Sequence, residues 1–62
     1  MEHYAIEIIG YGAKARYCIK LVSGTTIFPV DRKAYRTEEA ARAAADQLGI
    51  KIDKVGDSYQ IM

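Results

Sequence analysis

The sequence has few of the residues that mark secreted, metal-binding or membrane-spanning proteins. Its 62 residues include one cysteine, one proline and no tryptophan. The single Cys18 cannot form an intrachain disulfide, and no cysteine or histidine pairs have the spacing of a zinc site. No apolar run approaches the roughly 20 residues of a membrane-spanning helix. We therefore expect no bound metal, no cofactor and no membrane association.

The N-terminal segment also lacks the pattern of a secretory signal, because Met1-Glu2-His3-Tyr4 has no basic start followed by an apolar run. Without disulfides or a signal, we expect a reducing, cytoplasmic location. Half of the residues are hydrophobic and 27% are charged, which is typical of a folded chain. Residues 1–62 are predicted to form one domain with a small core.

The strongest local pattern is a helix over residues 38–48. Thr37 suits its N-cap, two glutamates follow in the first turn, and Gly49 provides the left-handed residue that ends it. One stripe of this helix contains four alanines and Leu48 and is predicted to face the core. Because alanine projects so little, the larger strand side chains must fill the space between helix and sheet.

Three strands are predicted before the helix. Tyr4, Ile6 and Ile8 alternate with smaller or charged residues, and a second alternation runs from Lys14 to Val22. Residues 25–30 are rich in β-branched and aromatic residues. The dipeptide Ser23-Gly24 is predicted to connect the second and third strands as a two-residue turn, which would pair residue 19 with residue 28. The only proline, Pro29, places the third strand at an edge of the sheet.

Two more strands are predicted after the helix, over residues 50–55 and 58–62. They would form a hairpin around Gly56-Asp57, with Ile52 opposite Ile61. The expected fold class is α+β, a small antiparallel sheet with one helix on one face, in the order β-β-β-α-β-β. The helix would pack on Ile19, Leu21 and Phe28.

The opposite face of this sheet is the predicted functional surface. In the expected register it presents apolar side chains away from the helix, and such a face is seldom left bare. The residues of this self-association face are Ile9, Cys18, Val22 and Ile27. We therefore predict a small non-enzymatic binding module for a protein partner or for a second copy of the chain, a homodimer. The alternative is that the C-terminal hairpin covers these residues.

Charge is distributed unevenly along the chain. Residues 14–36 contain six basic residues and one acidic residue, whereas the rest contains three basic and seven acidic residues. Such a basic centre is typical of nucleic-acid or acidic-protein surfaces, although solvated surface charge is the simpler interpretation. The candidate contacts are Lys14, Arg16, Lys20, Arg32, Lys33 and Arg36. Tyr11 and Tyr35, both in predicted connections, could stack on a base or anchor a protein.

Residues 14–48 carry a family resemblance as well. A basic strand, a tight turn and another strand precede Tyr35-Arg36-Thr37-Glu38-Glu39-Ala40-Ala41-Arg42-Ala43. This layout resembles the arm-type DNA-binding domain at the start of phage integrases, a three-stranded sheet backed by one helix. The resemblance implies that Arg16 and Lys20 reach base edges or phosphates in the major groove, while the other four basic residues neutralise phosphates. The chain departs from the family in residues 25–30, which lack a basic residue, and in the added C-terminal hairpin.

A second alternative concerns Gly10-Tyr11-Gly12, which follows an apolar strand. With Ala15 it resembles the dinucleotide-binding fingerprint G-x-G-x-x-A, and Asp31 lies near the distance expected for a ribose contact. This alternative, a dinucleotide-binding fragment, requires a helix over residues 13–23. Tyr17 and Val22 disfavour that helix, and a flexible turn explains the glycines equally well.

The sequence does not predict catalysis. His3 is expected at a frayed end, and Cys18 lies in the middle of a strand, where packing is its simplest role. Asp53 and Asp57 do not have the spacing of a calcium loop. We therefore expect no catalytic residues and no enzymatic activity.

Overall fold

The computed structural model describes all 62 residues and confirms the α+β class. The strands are β1 (Glu2–Ile9), β2 (Arg16–Ser23), β3 (Thr26–Pro29) and β4 (Ile52–Gly56). They form one four-stranded sheet in the spatial order β3-β2-β1-β4. The helices are α1 (Glu38–Gln47) and the four-residue α2 (Ser58–Ile61), and a 3-10 turn spans Gly12–Lys14.

The long helix α1 has the ends that its sequence predicts. The Thr37 hydroxyl accepts a hydrogen bond from the amide of Ala40 at 3.1 Å, with Glu38 and Glu39 in the first turn. Gly49 follows the C-terminal end of the helix with a φ of +72°, a conformation that glycine adopts without strain.

The strands β1, β2 and β3 are antiparallel, and β3 lies at the sheet edge and ends at Pro29, as predicted. The turn between β2 and β3 differs by one residue from the prediction. It is Gly24-Thr25, with Gly24 at a φ of +63°, and Leu21 rather than Ile19 pairs with Phe28. The partner of Phe28 thus shifts by two residues along β2, so each side chain keeps its predicted face of the sheet.

The predicted C-terminal hairpin is wrong, and with it the all-antiparallel sheet and the last element of the predicted order. β4 pairs parallel with β1, with Ile52 opposite Tyr4 rather than Ile61. The chain then turns into α2, because the Asp57 side chain accepts hydrogen bonds from the amides of Tyr59 and Gln60 at 2.9 and 3.0 Å. The observed order is β-β-β-α-β-α, and the sheet is mixed.

The two helices lie on opposite faces of the sheet. On the α1 face, Ile6 pairs with Ile19, and both are fully buried, as is Ala41 of the helix. On the α2 face, Ala5, Val22 and Ile61 form a buried cluster against which Ile27 packs. Eight of the 62 residues are buried, so the core is thin on both sides of the sheet.

Candidate binding surface

The face predicted for self-association is largely covered. Val22 is 1% exposed beneath α2, and Ile27 packs against the same cluster. Cys18 is half-buried, and Ile9 alone of the four is strongly exposed, at 49%. The prediction of an open apolar face is therefore wrong, because Ile61 fills the space over Val22 that a partner was expected to occupy.

His3 is one reason why α2 stays on this face. Its Nε2 lies 2.7 Å from the carbonyl oxygen of Ile61, so His3 is held within β1 and is not at a frayed end. At the other end of α2, the Ser58 hydroxyl donates a hydrogen bond to the Glu7 carboxylate. Gly56 is buried, and a Cβ there would overlap with the Gln60 side chain, so the absence of a side chain lets α2 fold back.

Two of the six candidate basic residues make contacts within the chain. Lys20 Nζ lies 3.7 Å from a carboxylate oxygen of Glu7, and both side chains are mostly buried. The Arg16 guanidinium donates to the carbonyl oxygens of Ala15 and Ala13, at 2.9 and 3.5 Å. The sequence did not predict the contact between Lys20 and Glu7, since it depends on the register of β1 and β2. Arg16 and Lys20 therefore do not project freely from the sheet.

The other four basic residues have no carboxylate oxygen within 4.0 Å. The two ion pairs of the protein are Lys20–Glu7 and Arg42–Glu38. Lys14 lies in the 3-10 turn, and the remaining three lie in the segment between β3 and α1. They are Arg32, Lys33 and Arg36, and all are exposed. Three unpaired cations thus lie in one connection.

The two tyrosines singled out from the sequence have different environments. Tyr11 is 90% exposed between β1 and β2. Tyr35 is fixed by its backbone, because its N–H donates to the Tyr17 carbonyl at 2.8 Å and its carbonyl accepts from the Tyr17 N–H at 2.7 Å. Its hydroxyl also donates to Asp31 at 3.0 Å. Desolvation, followed by this hydrogen bond and the Asp31 charge, raises the pKa of the Tyr35 phenol.

A groove on the α1 side of the sheet was missed by the sequence interpretation. It has a volume of about 700 Å³ and is lined mainly by apolar side chains. We call it the helix-side groove and define it by Tyr4, Val30, Tyr35, Ala44, Leu48 and Ile50. Leu48 is 55% and Tyr4 is 36% exposed, and Phe28, on the same face of the sheet, is 49% exposed.

The groove exists because α1 is too short and too slender to cover the sheet. A ten-residue helix is about 15 Å long, whereas the eight-residue strands beneath it extend about 26 Å. Its deepest side chains are Ala41 and Ala45, which add little width. These lengths were readable from the sequence and could have predicted an uncovered end of the sheet.

Gly10-Tyr11-Gly12 is a connection between antiparallel strands. Residues 16–23 form β2, not the helix that a dinucleotide site requires, so no helical amides face the glycines. The dinucleotide alternative is therefore wrong.

The reactive side chains do not form an activated set. Burial raises the pKa of the Cys18 thiol, although the positive charge of Lys20 opposes this shift. The raised pKa disfavours a thiolate nucleophile. The structure holds no group of three or more histidine, cysteine, aspartate or glutamate side chains that could bind a metal ion. No helix is long and apolar enough to cross a membrane.

Comparisons with known proteins add no relative. No protein-family model matches the chain, and searches of curated proteins and of solved structures gave no significant match.

Proposed function

We propose that the protein is a small non-enzymatic binding module that recognises a protein partner through the helix-side groove. The observation that carries this proposal is an apolar concavity lined by the exposed side chains of Tyr4 and Leu48, with the 49% exposed Phe28 on the same face of the sheet. Exposed apolar patches of this kind mark interaction sites in small soluble domains. Aromatic and aliphatic anchors around a concavity supply most of the binding energy in such sites.

The partner can be another protein or a second copy of the chain. Self-association would enlarge a core in which eight residues are buried and would thereby stabilise a domain of this size. Light scattering over a wide concentration series separates the two cases, because a homodimer dissociates on dilution.

A photo-crosslinking amino acid at position 48 tests the location of the surface. Position 9 is the matched control, because Leu48 and Ile9 have similar exposure, 55% and 49%, but lie on opposite sides of the domain. We expect crosslinks in cells to one protein, or to a second copy, from position 48 and not from position 9. Crosslinks from position 9 alone, or from neither position, would reject the groove as the binding surface.

Nucleic-acid binding is the second candidate, supported by the three cations between β3 and α1 that lack carboxylate partners. A gel shift at low salt tests it, with Arg32→Glu and Lys33→Glu combined as the variant. Binding that weakens with salt and disappears in the variant would favour this function over protein recognition. A flat titration would remove it.

A further inference from the structure

The walls of the helix-side groove are fixed before any ligand binds. Tyr35 is held by two backbone hydrogen bonds to Tyr17 and by its hydroxyl bond to Asp31. Across the groove, Ala44 belongs to the well-capped α1 and Leu48 is its C-cap. A preformed site reduces the ordering cost of binding. The volume of about 700 Å³ accommodates a few side chains of a short segment rather than a broad protein surface.

The lining of the groove holds one carboxylate and one ammonium, and they differ in their partners. Asp31, the carboxylate in its lining, is already engaged, because one oxygen accepts the amide of Lys33 at 3.2 Å and the other accepts the Tyr35 hydroxyl. The Lys33 ammonium, also in the lining, has no carboxylate within 4.0 Å, and neither has the adjacent Arg32. The α1 wall contributes alanine, leucine and Gln47, which are uncharged.

Resting on the proposed function, we infer that the helix-side groove binds a short acidic peptide segment, in which an apolar side chain enters the groove and flanking carboxylates face Lys33 and Arg32. The apolar lining supplies affinity, and the unpaired cations supply charge complementarity and orientation. A single-stranded nucleic acid fits less well, because it requires successive cations along its backbone and open aromatic platforms. The groove has one lining cation and mostly aliphatic walls.

Selection from a phage-displayed random peptide library on the immobilised protein tests this inference. Counter-selection uses Leu48→Asp, whose fold is checked by circular dichroism. We expect enriched peptides with aspartate or glutamate beside an aromatic or aliphatic residue, and an affinity at least about tenfold weaker for Leu48→Asp. Synthetic copies of these peptides should also bind Lys33→Glu about tenfold more weakly than wild type, and more weakly at high salt.

Lys54→Glu is the control for the charge effect. Lys54 is another exposed cation without a carboxylate partner, and it lies on β4 opposite Ala5, a residue of the α2 face. Equal losses in Lys33→Glu and Lys54→Glu would show a general field effect and overturn the assigned orientation.

The remaining outcomes separate the inference from the function on which it rests. Enriched peptides that need Leu48 but carry no acidic residues would overturn the acidic-peptide inference and leave the binding module intact. No Leu48-dependent peptide at all would overturn both. A labelled single-stranded DNA oligonucleotide tests the other occupant. If it displaces the peptides from the wild-type protein and does not bind Leu48→Asp, the groove would be assigned to nucleic acid instead.

Discussion

The two faces of the sheet are covered by helices that differ in length and in the size of the side chains they bury. The ten-residue α1 buries alanines and leaves Tyr4 and Phe28 partly open. The four-residue α2 places the fully buried Ile61 between Ala5 and Val22. The comparison shows that side-chain volume and anchoring contribute, together with helix length, to how much of a sheet is closed.

Among the variants that test this difference between the two faces, Ile61→Ala should lose the most stability. Removing a fully buried isoleucine from a small cluster should lower the free energy of unfolding by about 2–5 kcal/mol, measured by urea denaturation. Met62→Ala is the control, since Met62 is next to Ile61 in the chain but its side chain is 47% exposed. Equal, small losses in the two variants would mean that α2 does not close its face.

On the α1 face, stability should be sensitive to a larger side chain at a buried position of the helix. Ala45 is 1% exposed, so Ala45→Leu should force α1 away from the sheet and cost about 1–3 kcal/mol. Ala43→Leu, an exposed position on the same helix, should change the unfolding free energy little and controls for helix propensity. A larger loss in Ala43→Leu would contradict the observed orientation of α1.

The features of α1 that the sequence predicted correctly are local. Its cap, first turn and terminal glycine each act within a few residues of the chain, and hydrophobic alternation likewise assigned the faces of β2 and β3. The turn register was wrong by two partner positions without changing those faces.

The features that the sequence did not predict are non-local. Gly56-Asp57 suits a hairpin turn in isolation, but β1 offers a free edge to β4, and Asp57 caps a helix. The predicted binding surface differs from the observed one for the same reason. Once Ile61 docks over Val22, the predicted open face closes, and the shortness of α1 opens the helix-side groove instead.

The caps of the two helices give a smaller comparison. The Asp57 side chain accepts two amide hydrogen bonds and its own amide donates one to the Gln60 side-chain oxygen, whereas Thr37 accepts one. Asp57→Ala should cost about 1–2 kcal/mol and Thr37→Ala about 1 kcal/mol. Asp53→Ala removes an exposed carboxylate on β4 that makes no hydrogen bond to an amide and is the control. Equal losses for Asp53→Ala and Asp57→Ala would show that the cap does not hold α2.

The smallest expected effect concerns the wall of the groove and appears at alkaline pH. The raised pKa of the Tyr35 phenol means that the native state keeps this proton when the unfolded chain loses it, near pH 10. The associated stability is therefore present below the unfolded pKa and is lost as the pH rises through the native pKa. Tyr35→Phe should remove a tyrosinate absorbance change that lies above the ordinary pH range of a tyrosine, and it should reduce the alkaline loss of stability.

Asp31→Asn tests the origin of this raised pKa. Asp31→Asn should lower the Tyr35 pKa, since it removes the charge that opposes the phenolate. If Asp31→Asn leaves the titration of Tyr35 unchanged, the hydroxyl is not bound to Asp31. Tyr35 would then be held in the wall of the groove by its two backbone hydrogen bonds to Tyr17 alone.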